Sequence, residues 1–176
     1  MLQFSTAYIY KNINHYKIDV HTGSFDEIDL SQAIQSYGII LNQENELLLC
    51  YNSDSGFWIL PGGTVEAGET TIDTLIREVY EESAVVVDAK TIEPAFYQEV
   101  FEVIKEDDST DGKEEEKFEA LQVRYIARPE RIDKFISDPG GSMTEVKWVK
   151  LEELGDYLKW GETNNLIIQI IEEYLA

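Results

Sequence analysis

The chain of 176 residues holds a single cysteine, Cys50, so no intramolecular disulfide can form. That fits a reducing compartment, and Cys50, set in an apolar run, reads as a core residue. Histidine is almost as scarce: His15 and His21 are the only two. Both lie near the start, with no cysteine or carboxylate spacing that suggests a metal site, so surface or turn positions are expected for them. A Ser-His-Asp or Cys-His catalytic arrangement is nearly excluded by this shortage. Long apolar runs are missing too. The opening MLQFSTAYIYKNINHY lacks the continuous apolar segment of a secretory signal, and nothing later approaches a membrane span of about 20 apolar residues. Cations are in short supply, Lys+Arg 14 against Asp+Glu 35, and the formal net charge is -21. Such a field repels nucleic acid and anionic membrane unless a local patch opposes it. It also repels a free nucleotide, so a metal would have to screen any site that takes one. A soluble, cytoplasmic protein with no nucleic-acid or membrane partner is the expectation.

Hydrophobic residues make up 43% and aromatics 11%, a globular rather than a disordered composition. The length suits one domain with a real core. A single domain over residues 1–176 is expected, with residues 1–35 as an added hairpin, a lid, or an arm that forms a homodimer. Residues 7–10 and 16–20 are strand-like and residues 21–24 read as a turn. Two apolar runs, 37–41 and 47–51, flank Asn42-Gln43-Glu44-Asn45-Glu46 and predict a hairpin. Residues 57–60 predict a short strand, with one of Phe57 and Trp58 in the core. Further strands are expected near 85–87, 96–104, 118–127 and 145–149. A short helix is expected over 131–136 and a longer one over 164–175, where Leu166, Ile167, Ile170, Ile171, Tyr174 and Leu175 keep helical spacing. Residues 105–117, KEDDSTDGKEEEK, read as a solvated hairpin tip or lid. Asp107, Ser109, Asp111 and Gly112 imitate half of a calcium loop, but its twelfth position is Phe118, not the required Glu. Arg124 and Arg128 invite phosphate contact, with surface ion pairing as the simpler expectation.

The most informative stretch is residues 62–85, GGTVEAGETTIDTLIREVYEESAV. Ile72, Leu75, Ile76 and Val79 fall at i, i+3, i+4 and i+7, the period of an amphipathic helix. Thr70 followed by Asp73 resembles a capping box with Asp in the usual Glu position. On that helix Glu78, Glu81 and Glu82 share one face. Like charges at i,i+4 repel by a few tenths of a kcal/mol, and carboxylates in the last turn face the negative end of the helix dipole. A hard divalent cation, Mg²⁺ or Mn²⁺, reverses that sign, since it takes carboxylate and phosphate oxygens. A solvated acidic face is the bland alternative. Gly62-Gly63 after Pro61 permits close backbone approach to a ligand.

Gly63, Glu69 and Arg77-Glu78-Val79-x-Glu81-Glu82, led in by Trp58-Ile59-Leu60-Pro61-Gly62, resemble the Nudix box, G-x5-E-x7-R-E-U-x-E-E-x-G-U with U a bulky aliphatic. Ala84 stands where the pattern has its last glycine, which puts the helix exit turn in question. The resemblance implies an α/β fold, the Nudix-type α/β/α sandwich with a mixed sheet. The order of the expected elements points the same way. It also implies hydrolysis of a nucleoside diphosphate linked to another moiety, by water attack at a phosphorus. By the same resemblance Glu78, Glu81 and Glu82 hold metal, the Gly62 carbonyl is a further ligand, and Glu78 is the base or its nearest helper. Glu69 and Arg77 brace the loop against the helix. A further acid from a later loop is Glu145, with Glu119 behind it.

The substrate is left open at this point. Pro94 lies too close to the box for the proline linked with the ADP-ribose subgroup, and Phe101 occupies the expected neighbourhood. Tyr97 falls short of the dinucleoside-polyphosphate position. A generic MutT-like activity on nucleoside triphosphates or nucleotide derivatives remains. The alternatives are a nucleotide-binding module without turnover, which does not need all three carboxylates, and an acidic scaffold protein, which rests on charge alone.

Overall fold

The computed structural model describes residues 2–10, 14–105, 114–137 and 141–176. The imitated calcium loop lies outside the described residues. The strands are β1 (Leu2–Tyr10), β2 (Asn14–Thr22), β3 (Ala33–Ile40), β4 (Leu47–Asn52), β5 (Phe57–Ile59) and β6 (Gly62–Thr64). After helix α1 (Thr71–Ser83) come β7 (Val85–Val87), β8 (Glu93–Lys105), β9 (Glu114–Ala127), β10 (Pro129–Ile132) and β11 (Met143–Val149). A short helix α2 (Leu154–Tyr157) and the longer α3 (Glu162–Leu175) close the chain order.

Among the described residues, six strands form a mixed sheet in the order β1-β2-β8-β9-β3-β6. The β3–β9 pair is parallel, and β3 is apolar through Ile39 and Ile40 because both its faces are covered. A second sheet has the order β11-β4-β5, and β7 pairs with β10. The expected hairpin of residues 37–51 closes only at one bridge, Leu41 to Leu47. Asn42 shapes that turn by accepting from the Glu44 and Glu46 N–H groups, and Asn45 takes a positive φ of 62°, which Asn tolerates. Beyond the bridge β3 and β4 part into different sheets.

Neighbouring residues of these strands serve opposite cores. Ile39, Leu41, Leu47 and Leu49 pack with Leu166, Ile167 and Ile171 of α3. Ile40 and Leu48 pack with Leu75 and Val79 of α1. A helix therefore lies on each side of the strands, giving the α/β/α sandwich with a mixed sheet. Each fully buried Leu or Ile contributes about 1.5–3 kcal/mol relative to exposure.

Several local expectations are corrected. Residues 131–136 are not a helix: Arg131 and Ile132 sit in β10, captured by the edge of β7. His21 lies within β2 rather than a turn, stacked on Tyr97 with Nε2 2.9 Å from Glu99. Of the two aromatics in β5, Phe57 is exposed and Trp58 packs against Tyr51 and Tyr157. Cys50 is fully buried, as its apolar run implies. No helix among the described residues is long and apolar enough to cross a membrane.

Candidate active site

Helix α1 starts as its sequence asks. Thr70 Oγ1 accepts from the Asp73 N–H at 3.1 Å, and Asp73 accepts from the Thr70 N–H at 2.9 Å. The buried face is more polar than periodicity suggests. It comprises Thr71, Thr74, Leu75, Val79 and Ser83, while Ile72 is exposed. Each hydroxyl has a partner: Thr71 meets Tyr125 Oη at 2.7 Å, Thr74 donates to Glu69 at 2.8 Å, and Ser83 donates to the Val79 carbonyl. Satisfied hydroxyls make such a face affordable in a core.

The glycine loop lies against the carboxylate end of this helix. Gly62 has φ of 147°, and a Cβ there would stand 2.3 Å from the Ser36 carbonyl oxygen. Its N–H donates to Glu82 Oε2 at 2.8 Å. A Cβ on Gly63 would stand 2.5 Å from Glu78 Oε1. Gly62 is therefore required for fit against the β3 backbone, while Gly63 leaves room for the Glu78 carboxylate in its present position.

Arg77 ties the site together. Its Nε and Nη2 donate to the two oxygens of Glu69 at 2.7 and 3.0 Å, a bidentate grip. Nη2 also donates to the Thr64 carbonyl at 3.1 Å, and Nη1 reaches Glu78 at 2.8 Å and Glu81 at 3.3 Å. Glu69 in turn accepts from the Glu66 N–H at 3.2 Å. The loop, β6 and α1 are thus laced through one guanidinium. Glu78 faces the loop with its side chain 16% exposed, whereas Glu81 is 58% exposed.

The electrostatics divide the acids. Arg77, with help from Thr74 and the Glu66 N–H, holds the Glu69 carboxyl at about 2. Burial, reinforced by the charges of Glu78 and Glu81 and opposed by the Gly62 N–H, pushes Glu82 up to about 7. Beneath it, burial and then the Glu82 charge push the Cys50 thiol up. Tyr37, packed against Gly62, is raised by burial, by Glu82 and by Glu78, and is lowered by Arg124.

The donor set is all oxygen, which suits a hard divalent cation. Among the described residues no three His, Cys, Asp or Glu side chains converge as a ready-made cage. Arg77 engages Glu78 and Glu81, and Gly62 engages Glu82. Glu82 owes its raised proton affinity first to burial and then to the charges of Glu78 and Glu81, a mutual repulsion that a cation among them would relieve. The chemistry of the donors therefore fits a divalent cation.

The other expected acids are carried by strands rather than by α1. Glu145 is exposed on β11, opposite Tyr51 of β4. Glu119 is exposed on β9 and ion-paired with Lys117 at 2.7 Å. Neither joins the Arg77 network through a hydrogen bond or ion pair among the described residues. Arg128 has no carboxylate partner among the described residues; it donates to the Asn42 carbonyl and to Asn45 at 2.6 and 2.9 Å. Arg124 is buried. Alternation along β9 sets Arg124 on the face opposite Val123 and Tyr125, but nothing in that spacing signals its burial.

The family model of the NUDIX domain matches residues 34–169. The chain belongs to the Nudix family. Among its relatives, a MutT-like protein of Streptomyces ambofaciens is 37% identical over 51 residues, 29% of this chain and 33% of that protein. The matched segment thus spans about a third of the length of such curated relatives. Among solved structures, the pyrophosphohydrolase BsRppH of Bacillus subtilis is similar with a TM-score of 0.60, at 16% identity, over 97% of this chain and 95% of that one. An ADP-ribose pyrophosphatase of Streptococcus suis is similar with a TM-score of 0.56, at 17% identity, over 82% and 93%. At such identities these likenesses bear on the fold. The Nudix match begins just inside β3, so β1 and β2 lie ahead of it.

Proposed function

We propose that this Nudix protein hydrolyses a nucleoside diphosphate linked to another moiety, with Mg²⁺ or Mn²⁺ as cofactor. The observation that carries the reading is the meeting of Gly62, Gly63, Glu78 and Glu82, where loop backbone and two carboxylates touch. The names of its relatives, MutT-like protein and pyrophosphatase, point to the same class of substrate.

Glu78, Glu81, Glu82 and the Gly62 carbonyl are the proposed metal ligands, with Glu145 as the proposed acid from a later strand. A divalent cation bound there offsets the charge that builds on non-bridging phosphate oxygens. Glu78, set against the Gly63 backbone, takes the proton of the attacking water or positions the group that does. Glu78 and Glu81, which Arg77 engages, would also face a bound metal, and the bidentate grip of Arg77 on Glu69 keeps the loop and α1 in register. Tyr37 and Gly62 wall the site on the β3 side.

The test is incubation with a panel of nucleoside diphosphate derivatives and Mg²⁺ or Mn²⁺, followed by assay of phosphate-containing products. Metal-dependent turnover of one member is expected. Glu78→Gln is expected to lower kcat by at least about a hundredfold with the melting temperature nearly unchanged. Thermal shifts without any product would instead make the protein a nucleotide-binding module. A fully active Glu78→Gln enzyme would remove the role given to Glu78.

A further inference from the structure

On the face of the sheet opposite α1 lies a cavity of about 540 Å³ between β2, β8, β9 and the start of α3. One side is apolar, with Ile18, Val100 and Trp160; the other carries Gln98, Gln122 and Arg124. No carboxylate of the described residues lines it. Arg124 is 6% exposed, and its Nε has no hydrogen-bond partner among the described residues. Among the described residues its other bonds go to Gln122, to the carbonyl at 3.3 Å and to the side-chain oxygen at 2.9 Å. Gln122 is itself pinned by Gln35. The guanidinium lies 4.9 Å from the Tyr37 ring centroid and 5.4 Å from that of Phe96.

This is an unusual position for a cation. The chain has four arginines and 35 acidic residues. Arg77 and Arg131 are paired with carboxylates, and Arg128 is tied to Asn42 and Asn45. Arg124 is buried between two ring faces, and its hydrogen-bond partners among the described residues are amide oxygens. A buried charge without a counter-charge is costly, and burial lowers its proton affinity only to about 10, so it stays charged. Two ring faces offset part of the cost. The missing complement is an anion with oxygens spaced for a planar fork.

Tyr37 sets the direction. One side of this residue packs on Gly62, beside Glu82, and its ring covers Arg124. The cation and the carboxylates therefore flank one residue of β3. We propose that Arg124 is the specificity-determining residue that binds a phosphate group of a nucleoside phosphate, with the ring of that ligand against Ile18, Val100 and Trp160. The proposal rests on the hydrolase reading only in supposing that the same ligand extends to the glutamates. Neutral ligands leave the guanidinium uncompensated and bind less well.

The test uses ligands that have no anhydride, so turnover plays no part. Adenosine, guanosine, cytidine and uridine are compared with their 5′-monophosphates by calorimetric titration in Mg²⁺. At least one monophosphate is expected to bind about tenfold or more tightly than its nucleoside, as charge-assisted bonds require. Arg124→Met is expected to abolish that preference, and Arg124→Lys to keep part of it. In ¹⁵N-arginine-labelled wild-type protein the Arg124 Nε–H signal is expected to shift on adding the monophosphate. Equal binding of nucleoside and monophosphate by wild type overturns the proposal, as does a preference that survives Arg124→Met. Should neither variant fold, the wild-type preference and the Nε–H signal decide. Because monophosphates cannot report on Glu78, failure here leaves the hydrolase reading standing, and loss of hydrolysis leaves this one standing.

Discussion

Glu82 is held by opposed forces, and the balance has a pH signature. Its folded carboxyl titrates near 7, against an ordinary value of 4.5. As pH rises from about 4.5 to 7 the unfolded chain ionises first, so the folded state loses stability across that window. The loss is of order 3 kcal/mol. Melting temperature in a chelator is expected to fall over this range, and Glu82→Gln is expected to flatten the profile. A flat wild-type profile would mean that the Glu82 carboxylate is solvated. Glu69 behaves in the opposite sense. Its carboxyl is held near 2 by Arg77, so its contribution is present above about 4.5 and is lost as pH falls towards 2. Both glutamates belong to one box, yet nothing in their spacing says that their proton affinities move in opposite directions. Only their distance from Arg77 and their depth separate them.

At the level of elements, α1 was legible because its signals are local. The capping box of Thr70 and Asp73 forms, and Leu75 and Val79 are buried. Apolar spacing places Ile72 on the buried face, yet the helix turns it to solvent. Thr71, Thr74 and Ser83 are buried in its stead, each with a hydroxyl partner. The exit turn keeps the form the Nudix pattern uses glycine for. Ala84 adopts φ 58° and ψ 25°, with its N–H donating to the Tyr80 carbonyl at 2.8 Å. A left-handed Ala costs about 1–2 kcal/mol. Ala84→Gly is therefore expected to raise stability by about 1 kcal/mol, or the melting temperature by about 2–4 °C, measured by thermal unfolding. A lower melting temperature would show that the Ala84 methyl packs usefully. Residues 131–136 were misread for the complementary reason. Their composition allows a helix, but the open edge of β7 offers backbone partners, and ladder bonds prevail over propensity.

For the whole molecule the question is whether residues 1–176 fold as one unit. The Nudix match starts at residue 34, yet β2 pairs with β8 from His15↔Val103 to Thr22↔Phe96. Val20 is 1% exposed within the core shared with α3, and Ile18 packs against it. We propose a single domain in which the N-terminal hairpin is part of the sheet. Deleting residues 1–13 is expected to leave that core in place. Deleting residues 1–23 removes Val20, whose burial alone is worth about 1.5–3 kcal/mol, and bares the β8 edge. Thermal unfolding of both truncations checks this. Equal melting temperatures would make the hairpin a mere appendage.

The residues around the glutamates could be read in order because the box depends on spacing along one helix and one loop, which neighbours in the chain dictate. The capping residues, the apolar period and the glycines each act within a few positions. Which strands pair is set by contacts between distant residues. The apolar runs 37–41 and 47–51 look like two arms of one hairpin, and burial on both faces sends them to separate sheets. The same long-range pairing takes Arg124, which reads as a surface charge, and closes it between Tyr37 and Phe96. Period and spacing are local quantities, whereas burial is a property of the assembled sheet.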